Sequence, residues 1–128
     1  MTEQEIVDLA GRFMTAIETG DLDTVRACYD PDARIWHNND DLEQTVDQNL
    51  RVLAWVARKL PGRRYRVLRR EALADGFFQQ HVLEASLPDG GAFAMPACLI
   101  VRMKDGRITR LDEYLDSAHA AVLTALGR

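Results

Sequence analysis

Apolar residues recur at helical spacing from the start of the chain. Ile6, Leu9, Phe13 and Ile17, joined by Ala10, Met14 and Ala16, predict one amphipathic helix. Gly20 follows, a residue that takes the left-handed conformation at a helix end with little strain. Asp21 predicts the N-cap of a short second helix, Leu22 to about Cys28, closed by Pro31. Ala33 to His37 reads as a short strand and Asn38-Asn39-Asp40-Asp41 as a turn. Leu42 to about Leu60 reads as a third helix, with Leu42, Val46, Leu50, Leu53 and Val56 toward the core and Pro61-Gly62 ending it. The period then changes to two. Strands are predicted at about 64–73, 76–87, 92–104 and 107–115. Asp75-Gly76, Pro88-Asp89-Gly90-Gly91 and Lys104-Asp105-Gly106 are the hairpin turns between them. Ser117 to Leu126 can form a short final helix. Helices gathered ahead of an antiparallel meander indicate an α+β fold, with the helices on one face of the sheet.

Polar residues that interrupt apolar rows carry the chemical information. In the last strand Thr109, Leu111, Glu113 and Leu115 share one face, and Ile108, Arg110, Asp112 and Tyr114 the other. Glu113 thus sits between leucines on the helix-covered face. A carboxylate there is costly unless hydrogen-bonded, paired or protonated, and such a setting suits acid/base work near neutrality. Gln79 and His81 interrupt the row Phe77, Gln79, His81, Leu83, Ala85 and Leu87. His37 ends the row Ala33, Ile35, His37. Three such interruptions from separate strands predict one polar patch inside an apolar cavity. Two plainer readings stand beside this one: Glu113 in a structural ion pair with a neighbouring arginine, and His37 as part of a polar turn. His119 reads as a solvated residue.

Composition narrows the function classes. The chain has 128 residues, 47% apolar and 28% charged, the profile of one globular domain spanning 1–128. No apolar run approaches the ~20 residues of a membrane span, and the acidic amphipathic start lacks the features of a secretory signal. A cytoplasmic location is expected. Cys28 and Cys98 lack CxxC spacing and predict neither a zinc site nor a disulfide framework. The net charge is −4 but uneven: residues 1–50 hold twelve acids against three arginines, and residues 51–74 hold eight basic residues against Glu71. The basic stretch reads as a helix end followed by a solvated strand face, not a nucleic-acid surface. His37, His81 and Glu113 form the two-histidine, one-carboxylate set of some metal sites, but no HxxxH or HxH spacing supports a metal. No GxSxG nucleophile or phosphate-binding glycine loop is present, and no cofactor is expected.

The order of elements, Thr19-Gly20-Asp21-Leu22-Asp23, Tyr29-Asp30-Pro31-Asp32-Ala33 and the tail from Asp105 to Asp116 together resemble the SnoaL-like branch of the NTF2-like superfamily. The resemblance spans essentially the whole chain. It implies a cone: three N-terminal helices packed on a strongly curved, mostly antiparallel sheet around a central pocket. Ketosteroid isomerases of this superfamily carry a base where this chain has His37. Their two oxyanion donors match Phe13 and Cys98, neither able to donate in that way, which argues against that mechanism. Limonene epoxide hydrolases carry a catalytic Asp that matches Glu113, and an Arg and an Asp that match Gln79 and His81. Their triad is therefore absent too. What remains is an expected small-molecule enzyme of isomerase, cyclase or hydrolase type, working by acid/base chemistry on an apolar oxygenated substrate. Glu113, His37 and His81 are its candidate catalytic residues, and Phe13, Trp36, Trp55, Gln79, Met95 and Cys98 its candidate substrate contacts. The alternative is a module of the same fold that binds a ligand, or dimerises, without turnover. A homodimer through the outer sheet face is expected from Phe78, Val82, Ile108 and Tyr114.

Overall fold

The computed structural model describes residues 1–127. Helix α1 (Glu3–Thr19) begins at a Thr2–Glu5 capping box and ends at Gly20, whose φ of 78° is left-handed. Helix α2 (Leu22–Cys28) is capped by Asp21 and runs straight into strand β1 (Tyr29–His37). Pro31 therefore lies within β1, not at a helix end. It falls in the irregular stretch between Tyr29 and Arg34, where a residue without an N–H is tolerated.

The third helix starts later than expected. Leu42–Gln44 form a short strand, β2, antiparallel to β1, and α3 spans Val46–Lys59. Thr45 and Gln48 make a second capping box, which satisfies the first amides of α3 and sets its start. Leu42 is consequently exposed rather than buried. Strands β3 (Arg64–Leu73), β4 (Gly76–Ser86), β5 (Ala92–Lys104) and β6 (Arg107–Leu115) form the meander, followed by α4 (Ser117–Thr124). The order across the six-stranded sheet is β2-β1-β6-β5-β4-β3. β1 and β6 run parallel, and the other neighbours antiparallel.

Register at two irregular points decides which side chains face inward. In β6, Met103 pairs with Ile108 and Arg102 with Arg110, so Thr109 bulges out of the ladder. The bulge brings Ile108 to the same side as Leu111, and Ile108 is fully buried instead of lying on the outer face. In β3 the register shifts between Val67 and Arg69, which sets both Val67 and Arg70 opposite inward residues of β4. The covered face divides into two apolar clusters. One joins α1 and α2 to the sheet through Phe13, Tyr29, Ile35, Phe77, Ile108 and Leu111; the other gathers Val56, Leu60, Leu83, Phe93, Met95 and Ala120 under α3 and α4. A cavity lies between the clusters. Among the described residues no helix is long and apolar enough to cross a membrane.

Candidate active site

The parallel register of β1 and β6 sets His37 beside Glu113 on the inward face. Their side chains meet, His37 Nε2 to Glu113 Oε1 at 2.9 Å. Both side chains are largely shielded, 15% and 17% exposed, so water screens the contact only in part. Asn38 holds this end of the two strands together. Its amide N–H donates to the Glu113 carbonyl at 3.1 Å. Its side chain accepts from the Leu115 amide at 2.8 Å and donates to the Leu115 carbonyl at 3.3 Å. Asn38 thus extends the ladder one residue past β1 and ties down the β6 backbone at Glu113 and at Leu115.

The cross-strand row continues His37, Glu113, Leu99, Gln79, Arg70. Leu99 separates the acid pair from a second polar group. Arg70 Nε donates to Gln79 Oε1 at 2.8 Å, and Gln79 Nε2 lies 3.0 Å from His81 Nδ1. His81 Nε2 faces the other carboxylate oxygen of Glu113 at 3.9 Å, beyond hydrogen-bond reach. Gln79 is fully buried and His81 nearly so. The interruptions seen in the apolar rows therefore form two hydrogen-bonded groups, His37–Glu113 and Arg70–Gln79–His81, that face each other across 3.9 Å.

His37, His81 and Glu113 line a cavity of about 240 Å³ together with Leu53, Trp55, Val56, Leu83, Met95 and Leu115. Helix α4 contributes Ala120, Leu123 and Thr124 to its wall. A smaller recess of about 50 Å³ continues inward past Phe13, Met14, Ile35 and Leu111. His37, Asn49, Leu53, Tyr65, His81 and Glu113 line both spaces and form the neck between them. The outer space is smaller than the roughly 300–1,000 Å³ of common ligand pockets, which suits a ligand of modest size.

Charge in the neck is set by burial against Glu113. Burial pulls His37 down, but the hydrogen bond and charge of Glu113, with Asp40, outweigh it and raise its pKa above the usual histidine value. Burial lowers His81, and Arg70 adds to this against the pull of Glu113. Burial and then the Glu113 charge push the phenols of Tyr29 and Tyr65 upward, so both stay protonated. Tyr29 donates to Asn49 Oδ1 at 3.0 Å, and Asn49 in turn donates to Gln44 at 3.3 Å. Among the described residues no three of His, Cys, Asp and Glu are grouped so as to hold a metal.

Of the candidate contacts, Phe13, Trp55 and Met95 face the two spaces, and Gln79 supports His81 from behind. Trp36 and Cys98 do not line the cavity. Trp36 follows an inward residue in β1 and so points outward, where it packs edge-on against Tyr114 and donates to Asp41. Cys98 is paired with Tyr114 on that same outer face. Asn49, Tyr65, Tyr29 and Arg70 were absent from the sequence-based set. Asn49 had a readable signal, being a polar residue in the apolar stripe of α3 between Val46 and Leu53.

A curved six-stranded sheet with helices packed on one face defines an α+β protein of the NTF2-like fold. The SnoaL-like domain family matches residues 10–111, and the chain belongs to that family. No curated protein matches it in sequence. Solved structures show the same fold at low identity. PrhC from Penicillium brasilianum superposes with a TM-score of 0.85 at 12% identity, over 98% of this chain and 89% of that one. AclR from Streptomyces galilaeus, a candidate hydroxylase, gives 0.84 at 15% identity, over 99% and 89%. IdmH from Streptomyces antibioticus, a candidate polyketide cyclase, gives 0.81 at 20% identity, over 93% and 97%.

Proposed function

We propose that this protein is an enzyme of isomerase, cyclase or hydrolase type, doing cofactor-free acid/base chemistry on an apolar, oxygenated small molecule. The observation that carries the proposal is the 2.9 Å contact of His37 and Glu113 in the neck of a cavity walled in part by Leu53, Trp55, Val56, Leu83, Met95 and Leu115. Glu113 takes a proton from bound substrate or water, and His37 holds the partner proton and returns it. Against its burial, the hydrogen bond and charge of Glu113 favour the protonated form of His37. Trp55, Met95 and Phe13 supply apolar contact, and Tyr65 and His81 bring polar atoms to the neck. Polyketide cyclase and hydroxylase descriptions among the structural neighbours are consistent with an oxygenated substrate. Turnover against a panel of lactones, epoxides and enones tests the reading. Glu113→Gln keeps shape and should abolish any turnover found. Activity that survives the substitution unchanged removes the acid/base assignment, and tight binding without turnover favours a non-catalytic binding module.

The same reading includes a homodimer through the outer sheet face. Leu68, Ile100 and Tyr114 leave apolar surface there, with Leu68 57% and Tyr114 48% exposed, and Trp36 and Phe78 are half-buried beside them. Ile108 and Val82, expected to share in that patch, are both buried and have no part in it. Light scattering at micromolar concentration should give twice the chain mass; a monomer rejects the dimer.

A further inference from the structure

We propose that Arg70 and Gln79 are positioning residues that hold His81 as the tautomer with its proton on Nε2. His81 then meets a bound ligand as a hydrogen-bond donor to oxygen and not as a base. The chain of reasoning begins at Arg70, whose guanidinium only donates. Its Nε takes the Gln79 carboxamide oxygen at 2.8 Å, which leaves the Gln79 amide nitrogen, also only a donor, facing His81 Nδ1 at 3.0 Å. Nδ1 must therefore accept, and a neutral imidazole with a lone pair on Nδ1 carries its proton on Nε2. Protonating Nδ1 would set two donors against each other in a fully buried place, suppressing that form roughly tenfold or more.

Three further features hold the array in one state. Antiparallel pairing puts Arg70 directly opposite Gln79, a placement that follows from the register shift before Arg69. The Arg70 guanidinium lies against Gly11 of α1, with Nη1 3.6 Å from where a side chain there would begin. The groups that face His81 are Tyr65, edge-on at 5.4 Å between ring centres, Arg70 behind Gln79, and Glu113 across the neck. Arg70 and burial oppose a charged His81, and Glu113 favours one; the balance is downward. Nε2 points into the neck, and Glu113 Oε2 at 3.9 Å leaves it available to a ligand oxygen. The ligand class that fits is one whose carbonyl or anionic oxygen reaches His81 while an exchangeable proton lies at Glu113 and His37.

The use made of the donor rests on the acid/base reading above, but the tautomer is readable without any substrate. Two-bond proton–nitrogen NMR of the wild-type protein, from about pH 8 to about pH 6, should show His81 Nδ1 unprotonated and Nε2 protonated throughout. In Gln79→Glu a carboxylate oxygen replaces the amide donor. Nδ1 should then gain a proton, and His81 should titrate at a higher pH than in the wild type. Arg70→Met frees the carboxamide to turn over, and both tautomers should be visible. Wild-type His81 with a protonated Nδ1, or charged at pH 7, overturns the proposal. So does a tautomer unchanged in both variants, which is what a purely structural role for Arg70 and Gln79 gives. If Gln79→Glu does not fold, the wild-type spectrum and Arg70→Met decide between these results. An absence of turnover on every substrate tried would overturn the acid/base reading alone, with the spectrum unaffected.

Discussion

Glu113→Gln should reverse the way stability depends on pH. In the wild type His37 is raised above 6.5 once the hydrogen bond and charge of Glu113 outweigh burial. A histidine with a folded value above its unfolded one adds stability that is fully present below about pH 6.5 and lost as pH climbs through the folded value. His81 has the opposite sense. Its folded value lies below 6.5, so its contribution is present above that pH and lost on acidification. The glutamine keeps an oxygen for His37 Nε2 but no charge, and burial then governs both histidines. Wild-type stability should fall as pH rises above 6.5, by at most about 1.4 kcal/mol per pH unit for one proton. The variant should be flat there and should lose stability below 6.5 instead. Near pH 6 the exchange of a charge-assisted hydrogen bond for a neutral one should cost about 1–1.5 kcal/mol, a drop in Tm of roughly 3–6 °C. Urea titrations across this range, with both proteins in the same buffers, give the two curves. Curves that run parallel would show that Glu113 does not hold the His37 proton, and the reasoning would fail with them.

Asn38→Ala removes the side-chain bonds to Leu115 at 2.8 and 3.3 Å, and should cost about 1–2 kcal/mol in urea denaturation while loosening the His37–Glu113 contact. Trp55→Phe deletes the 2.7 Å bond from the indole to the Gly127 carbonyl. Amides of α4 should then exchange with deuterium several times faster while those of β4 and β5 do not change. Ile108→Ala should cost roughly 2–5 kcal/mol in chemical denaturation, since Ile108 is wholly buried; a loss below about 0.5 kcal/mol would return it to the surface.

The alternation of polar and apolar residues carried most of the candidate site. Glu113, His37, His81 and Gln79 each break an apolar row, and a row belongs to one face whatever the register of its neighbours. The same rule excludes Trp36 once His37 is placed inward, because adjacent strand residues point apart. Cys98 entered by analogy with a related position; the inward row of its strand, Phe93, Met95, Ala97 and Leu99, lies on the other face. Ile108 escaped because a single bulged residue, Thr109, inverts the parity of everything before it. No local preference marks such a residue; the ladder of two neighbouring strands decides it. The Leu42–Gln44 strand was hidden because three residues carry no period, yet the Thr45–Gln48 capping pair already marked where α3 begins. Arg70 needed the β3 register as well, and register is a property of pairing rather than of one strand.

The parallel junction of β1 and β6 also has a kinetic side. Asn38 and Leu115, which bond across it, lie 77 residues apart in the chain. The meander from β3 to β6 consists of hairpins whose closure needs only short loops, so it can form early. The β1–β6 junction requires a long loop to close before its contacts return any stabilisation, and this places it late in folding. His37 and Glu113 lie on opposite sides of that junction. An intermediate with its hairpins in place would hold Glu113, His81 and Gln79 yet have no proton-sharing pair. A signal from that pair in refolding would report the last step of assembly.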